Sequence, residues 1–131
     1  MEIAVVIDSC VFIEYFRSKN KENTLLSKLD QQQRRLYVSA VAKYEVLAGA
    51  HASTLGEWRR TFDGIFVLPF GDSTITTARD IFQQLKRESK LIPLGDVLIA
   101  ATAIVNDLPL ATLNRSHFER IQRLRLTRFF A

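Results

Sequence analysis

The stretch that decides the fold is Ile3-Ala4-Val5-Val6-Ile7-Asp8, close to the amino terminus. Its five apolar residues show no alternation with polar ones, which is typical of a strand buried on both faces of a parallel sheet. Asp8 ends the run. The run is too short for a signal peptide or a membrane span, and it lacks the basic residues that precede a signal peptide's apolar segment. The stretch therefore predicts the first strand of an α/β protein.

Beyond this strand, predicted helices and strands alternate along the chain. Helices are predicted over 9–17, 24–33, 40–50, 55–62, 73–88, 97–105 and 116–123, and strands over 36–38, 66–68, 110–112 and 126–129. The helix over 73–88 has an apolar face formed by Ile75, Ala78, Ile81, Phe82 and Leu85. The alternation predicts a three-layer α/β/α fold around a parallel sheet of about four or five short strands.

Size and composition indicate a single domain over 1–131. The chain has 131 residues, of which 47% are hydrophobic and 24% charged, close to the average for globular domains. Its single cysteine, Cys10, cannot form an internal disulfide, so we expect a reducing compartment and a cytoplasmic protein. The net charge of +4 favours a polyanionic partner without requiring one.

Three acidic residues lie where an α/β sheet binds its ligands, at or beside the carboxyl ends of the strands. Asp8 follows the first strand, Glu45 lies within a predicted helix, and Asp96 opens the apolar helix. Asp8 and Asp96 each have a simpler interpretation as helix N-caps, and Glu45 as the partner of a nearby arginine. Position alone does not decide between these interpretations.

The neighbours of Glu45 favour a functional role. Three and four positions away on its helix lie only small or apolar residues, namely Val41, Ala42, Ala48 and Gly49. We therefore expect that face to be buried, and a buried carboxylate needs a cation, a metal or hydrogen-bond donors.

Taken together, the three carboxylates predict a divalent-metal site, because they would repel one another unless a cation held them. Oxygen ligands of this kind suit Mg²⁺ or Mn²⁺, which keep several waters. Thr112 and Asn114 follow the fourth strand and are expected to add neutral oxygens or to position a water. Asn114 fits equally well as the N-cap of the next helix.

Four blocks of sequence then show a family resemblance. They are VIDSCVFI at 6–13, SAVAKYEVLAG at 39–49, LGDVLIAATA at 94–103 and TLNRSHF at 112–118. In this order and spacing the chain resembles the PIN-domain ribonucleases and, among them, the VapC toxins of type II toxin–antitoxin systems.

The resemblance implies roles for particular residues. Asp8, Glu45 and Asp96 fall on the family's acidic metal-binding positions, with Asn114 at a fourth position that is often Asp. Asp8 and Asp96 are then direct ligands and Glu45 a ligand or an orienter of bound water, with Ser9 and Thr112 as supporting residues. Because Asn114 replaces an acid and His117 stands beside it, the number of metals stays open.

The implied activity is metal-dependent hydrolysis of RNA phosphodiester bonds by a toxin that forms a homodimer and is blocked by a VapB-like antitoxin. Basic residues that follow the strand ends are the predicted RNA contacts: Arg17, Lys19, Lys21 and Arg115.

Other functions remain open. The main alternative is a catalytically silent PIN-like module that binds RNA or a partner. A phosphoacceptor signalling domain and a phosphatase with Asp8 as nucleophile fit less well, because neither has its further acidic or basic partners here. Cys10 lacks an evident histidine partner, so a packed thiol fits better than a nucleophile.

Overall fold

The computed structural model describes residues 3–127, and its centre is a sheet of four parallel strands in the order β3-β2-β1-β4. The strands are β1 (Ala4–Ile7), β2 (Arg35–Ser39), β3 (Phe66–Leu68) and β4 (Leu110–Ala111). Val5, Val6 and Ile7 are fully buried, as expected of an inner strand covered on both faces. The predicted parallel α/β sheet is confirmed.

Seven α-helices connect and flank the strands within the described part of the chain. They are α1 (Ser9–Arg17), α2 (Leu25–Gln31), α3 (Ala40–Ala48), α4 (Leu55–Phe62), α5 (Asp72–Arg87), α6 (Leu94–Val105) and α7 (Arg115–Phe118). Short 3₁₀ helices, Lys21–Asn23 and Ala52–Thr54, precede α2 and α4. None of the helices within 3–127 has both the length and the apolar character needed to cross a bilayer.

Helix starts at the carboxyl ends of strands bring polar side chains to one edge of the sheet. Asp8 ends β1 and caps α1, and Ser39 ends β2 and caps α3 by accepting a hydrogen bond from the Ala42 N–H at 3.0 Å. After β4, Thr112 and Asn114 lead into α7. The caps place the candidate site residues next to one another at the edge where ligands bind in parallel sheets.

The start of α6 differs from the prediction. The helix begins at Leu94, after an N-cap at Pro93, so Asp96 is its third residue and not its cap. In that first turn the carboxylate still complements the positive end of the helix dipole. Behind it, α6 is buried nearly all round, as its apolar sequence predicts, through residues that include Val97, Ile99 and Ala100.

The predicted apolar face of α5 is partly wrong. The helix packs on α6 through Ala78, Ile81 and Leu85, which are buried, whereas Ile75 and Phe82 are 52% and 39% exposed. Each of these two lies one position along from a buried residue and therefore about 100° around the helix. They flank the contact with α6 and are left uncovered.

The carboxyl-terminal elements are shorter than predicted. The last helix ends at Phe118 and not at 123, because the chain turns there and buries Ile121 and Leu124 before returning to the sheet. Of the strand predicted over 126–129, the structure has a single parallel bridge between Leu126 and Leu110, and 128–129 lie outside the described residues.

Candidate metal centre

Asp8 is the most deeply placed acid at this edge of the sheet, with 3% of its surface exposed. Its Oδ1 accepts a hydrogen bond from the Ser9 N–H at 2.8 Å. Its Oδ2 accepts from Thr112 Oγ1 at 2.7 Å and lies 3.2 Å from the Cys10 thiol. Thr112 also accepts from the Asn114 N–H at 2.9 Å, so β1 and the segment after β4 are joined through this one hydroxyl.

Glu45 reaches the site from the second turn of α3. The expectation that its helix face is buried is wrong for Glu45, Ala48 and Gly49, which are exposed, whereas Ala42 is buried and Val41 partly buried. The carboxylate nevertheless lies against the first turn of α6, where a Cβ added to Gly95 would be 2.5 Å from Glu45 Oε2. The small residue at 95 is thus what leaves room for this carboxylate beside Asp96.

Asp96 meets α7 on the other side of the site. Its Oδ2 lies 2.9 Å from His117 Nδ1, which is also 2.8 Å from Asn114 Nδ2. Asn114 stands at the N-cap position of α7 but makes no side-chain capping bond, so its amide faces the histidine instead. Asn114 is thus the N-cap residue of α7, as the alternative interpretation has it, but without a side-chain capping bond, and it contacts the same histidine as Asp96.

The three carboxylates act on one another electrostatically. Burial raises the pKa of Asp8 above its usual range, and the charge of Asp96 adds to the rise, against hydrogen bonds from Thr112, Cys10 and the Ser9 N–H. Burial of its carboxylate end also raises the pKa of Glu45, with the charges of Asp8 and Asp96 adding to it and a hydrogen bond with the Ser9 side chain opposing it. The site therefore favours a proton or a cation.

Within residues 3–127, no lysine or arginine supplies that cation. Among the ion pairs formed within 3–127, none involves Asp8 or Glu45, and the pair of Asp96 is with His117. The interpretation of Glu45 as the partner of an arginine is therefore wrong for the described residues. The interpretation of Asp8 as an N-cap is correct, but Asp8 also makes the contacts with Thr112 and Cys10.

Cys10 belongs to the wall of the site and is not a reactive thiol. Its Sγ lies 3.2 Å from Asp8 Oδ2 and accepts a hydrogen bond from the Leu113 N–H at 3.4 Å. Burial, together with the charge of Asp8, raises the pKa of this thiol to about 11, so it is not ionised near neutral pH.

The predicted RNA contacts fall into two groups. Arg17, Lys19 and Lys21 lie at or beyond the end of α1 opposite to Asp8, roughly 13 Å away for a nine-residue helix. Lys21 Nζ already donates to the Tyr15 carbonyl at 2.7 Å. Arg115 follows Asn114 directly and is 41% exposed, with one guanidinium nitrogen 3.1 Å from the Thr127 carbonyl. Of the four, Arg115 is the one that adjoins a site residue along the chain, Asn114.

The donor set fits a hard divalent cation. All three acids offer carboxylate oxygens, which are the ligands that Mg²⁺ and Mn²⁺ prefer. Across residues 3–127, no group of three or more His, Cys, Asp and Glu side chains is arranged to hold a metal ion by itself. Mg²⁺ in particular usually binds proteins through one or two carboxylates and completes its shell with water.

Two residues of the site were given no role of their own from the sequence, although His117 was noted beside Asn114. Gly95 makes the space for Glu45, and His117 contacts Asp96. The signal for Gly95 is its place directly before Asp96, where the lack of a side chain leaves room for another group. The signal for His117 is its spacing of three residues from Asn114, which puts both on one side of a helical turn.

Comparison with known proteins identifies the family. The PIN domain family matches residues 5–124. Ribonuclease VapC10 of Mycobacterium tuberculosis is 32% identical over 121 residues, 92% of this chain and 90% of the relative. Ribonuclease VapC1 of Methanocaldococcus jannaschii is 29% identical over 126 residues, 95% of this chain and 86% of the relative.

The fold is also that of solved structures. DNA-bound VapBC from Salmonella typhimurium superposes with a TM-score of 0.85 over 95% of this chain and 97% of that chain, at 22% identity. A parallel sheet with three acids at its carboxyl edge and this family match define the class: the chain belongs to the PIN-domain family, and its relatives above are VapC ribonucleases. The resemblance given by the four sequence blocks is confirmed.

Proposed function

We propose that this protein is an endoribonuclease that hydrolyses RNA phosphodiester bonds with Mg²⁺ or Mn²⁺, and that it acts as the toxin of a VapBC-type module. The observation that carries the proposal is the convergence of Asp8, Glu45 and Asp96, with no lysine or arginine of residues 3–127 paired to any of the three. Burial and mutual repulsion raise the pKa values of Asp8 and Glu45, which is the electrostatic condition that a bound cation relieves.

Each residue has a defined task. Asp8 and Asp96 hold the metal, and Glu45 holds it or orients a water beside it. Thr112 fixes one oxygen of Asp8 through its hydroxyl at 2.7 Å, and the Ser9 N–H fixes the other at 2.8 Å. Asn114, next to Asp96 through His117, positions the water or the substrate phosphate with its amide.

A bound metal would lower the pKa of a coordinated water and neutralise negative charge on the phosphoryl oxygens. The chain supplies the remaining conditions. Its own carboxylates accept the proton that the attacking water loses, with Glu45 the best placed because it is exposed at the mouth of the site. Arg115, beside Asn114 and partly exposed, offers a positive charge to the RNA backbone.

The test is cleavage of labelled total RNA by wild type and Asp96→Asn, each with Mg²⁺, with Mn²⁺ and with a chelator. Asn keeps the size of Asp96 and an oxygen near His117, so the fold is expected to survive while cleavage falls by roughly a thousandfold or more, because the lost interaction is with the metal. Asp80→Asn is the matched control, since Asp80 is an exposed helical acid on α5 whose partner is Arg79.

The alternative of a catalytically silent module predicts a different outcome. Wild type would then bind RNA or a partner but cut nothing with either metal while remaining folded. Cleavage that continues in the chelator, or that Asp96→Asn leaves intact, would contradict the proposed chemistry and point to a contaminating nuclease or another site.

An apolar surface beside the site fits the proposed homodimer. It is formed by α5, α6 and the segment before them, with Phe70, Ile75, Phe82, Leu94 and Leu98 around one groove. Leu94 is 69% exposed and Ile75 is 52% exposed. Contiguous apolar patches of this kind mark protein interfaces, and Leu94 lies two residues from Asp96, so a second copy here would adjoin the site.

Light scattering on purified protein tests the dimer. Phe82→Glu is expected to give a monomer, because a charge in a buried apolar interface is costly. Val105→Glu at the other end of α6, where Val105 is 37% exposed, is the control and should leave the mass unchanged. The proposed antitoxin is tested separately by co-expression, in which it should bind wild type and suppress its cleavage of RNA.

A further inference from the structure

We propose that His117 is the positioning residue of Asp96: its Nδ1–H holds one carboxylate oxygen, so that the other oxygen is presented to the metal. The inference rests on the metal-dependent function proposed above and concerns the same site. It assigns a task to a side chain that stands beside a neutral Asn114 where the family often has an acid.

The contacts of Nδ1 decide the proton. This nitrogen lies 2.9 Å from Asp96 Oδ2 and 2.8 Å from Asn114 Nδ2. A single ring nitrogen either donates or accepts, so it cannot serve a carboxylate and an amide N–H at once. A hydrogen bond to a charged group is about twice as strong as one between neutral groups, so Nδ1 carries the proton for Asp96.

Asn114 can adapt to that choice. Turning its side-chain amide by half a turn exchanges the oxygen and the nitrogen, and the oxygen then accepts from the same Nδ1–H. Its present oxygen has only a long contact of 3.5 Å from Ser116 Oγ, so the turn loses little. His117 then bridges Asp96 and Asn114 as a donor to both.

The fold holds the ring in place. His117 lies on α7, and the next residue, Phe118, is fully buried and anchors that helix in the core. The side chains of His117 and Asp96 are only 31% and 19% exposed, so water screens their contact incompletely. An imidazole donor fixes Asp96 without adding a further negative charge beside Asp8 and Glu45, whereas an acid at 117 would add one.

The consequence is a measurable contribution to metal binding. Residues that orient a metal ligand without touching the metal typically change metal affinity by about 10- to 100-fold when they are removed. A merely structural histidine would leave the affinity unchanged in any variant that still folds.

The test is the dissociation constant for Mn²⁺, measured on the full chain by the electron paramagnetic resonance signal of free Mn²⁺. His117→Phe is expected to raise it by about 10- to 100-fold. His117→Asn is expected to remain close to wild type, because its amide N–H lies near the place of Nδ1. His51→Phe is the control, since His51 is the other histidine and is exposed at the start of the second 3₁₀ helix.

A second measurement does not depend on any variant folding. Two-bond ¹H–¹⁵N correlations of the metal-free wild type at pH 8 report which ring nitrogen of His117 carries the proton, and we expect Nδ1. An unprotonated Nδ1, or a folded His117→Phe that binds Mn²⁺ as wild type does, would overturn the inference alone. Wild type that binds no Mn²⁺ would overturn the proposed function as well.

Discussion

At the metal centre the α6 backbone passes the Glu45 carboxylate at Gly95, and Gly95→Ala tests the importance of this approach. The added Cβ would lie 2.5 Å from Glu45 Oε2, whereas ordinary van der Waals contact begins at 3.4 Å, so Oε2 must withdraw by about 0.9 Å. The obstructing atoms are the end of a flexible side chain. Glu45 is therefore expected to swing aside while the α6 backbone stays in place.

Stability and activity should then change in different directions. Alanine is a better helix former than glycine by roughly 0.5–1 kcal/mol in a helix interior, so the unfolding temperature should stay the same or rise slightly. A misplacement of about 1 Å at a reacting centre lowers rates by on the order of 100-fold. We expect RNA cleavage to fall by about that factor with saturating Mn²⁺.

The assay compares cleavage rate and thermal unfolding for wild type, Gly95→Ala and Gly56→Ala. Gly56 is a matched control, because it is also the second residue of a helix and also follows a leucine, yet its added Cβ would meet only Arg60 Nη1 at 3.7 Å. If Gly95→Ala cuts RNA as wild type does, the position of the Glu45 carboxylate does not matter. A large loss of stability would show instead that the backbone, not the side chain, yields.

Three further predictions concern Asp8 and the two side chains that contact it, those of Thr112 and Cys10. Because burial raises the pKa of Asp8, the metal-free folded state binds this proton more tightly than the unfolded state, and stability falls as pH rises through the raised pKa. Asp8→Asn should remove that fall in stability and raise the metal-free unfolding temperature at pH 8. It should also abolish stabilisation by Mn²⁺, and an unchanged response to Mn²⁺ would exclude Asp8 as a ligand. Thr112→Val removes the buried 2.7 Å bond to the Asp8 carboxylate and should cost about 1.5–3 kcal/mol in denaturant unfolding, with Thr77→Val on partly exposed α5 as a milder control. With its pKa near 11, Cys10 should react with iodoacetamide at pH 8 far more slowly in the folded than in the denatured protein, and equal rates would contradict its burial.

Elements with strong local signals were predicted well from the sequence. The helix predicted over 9–17 is α1 with the same bounds, and β1 differs by one residue from its prediction. In both, local sequence decides: an unbroken apolar run forms the strand, and Asp8 then caps the helix. Asp8 was expected at the carboxyl edge for a related reason, because it directly follows a parallel strand. Glu45 and Asp96 lie on helices, and the metal-binding roles of all three acids stay predictions.

Elements whose form depends on distant partners were predicted less well. A helix was predicted to continue to 123, yet α7 ends at Phe118 because the chain must return to pair Leu126 with Leu110. The small residues around Glu45 led to a wrong expectation of burial, because residue type cannot show that no other segment covers α3 there. The distance of Arg17, Lys19 and Lys21 from the site follows from the direction of α1 alone.

Local patterns were enough to predict the sheet and the place of Asp8 at its edge, because apolar runs and helix caps are local features, and the order of four sequence blocks pointed to the family. How the acids are held depends on the tertiary structure. The contacts of Glu45 with Gly95 and of Asp96 with His117 join residues fifty and twenty-one positions apart. Such contacts depend on how α3, α6 and α7 pack against one another, and this packing cannot be read from the sequence of any one of the three helices.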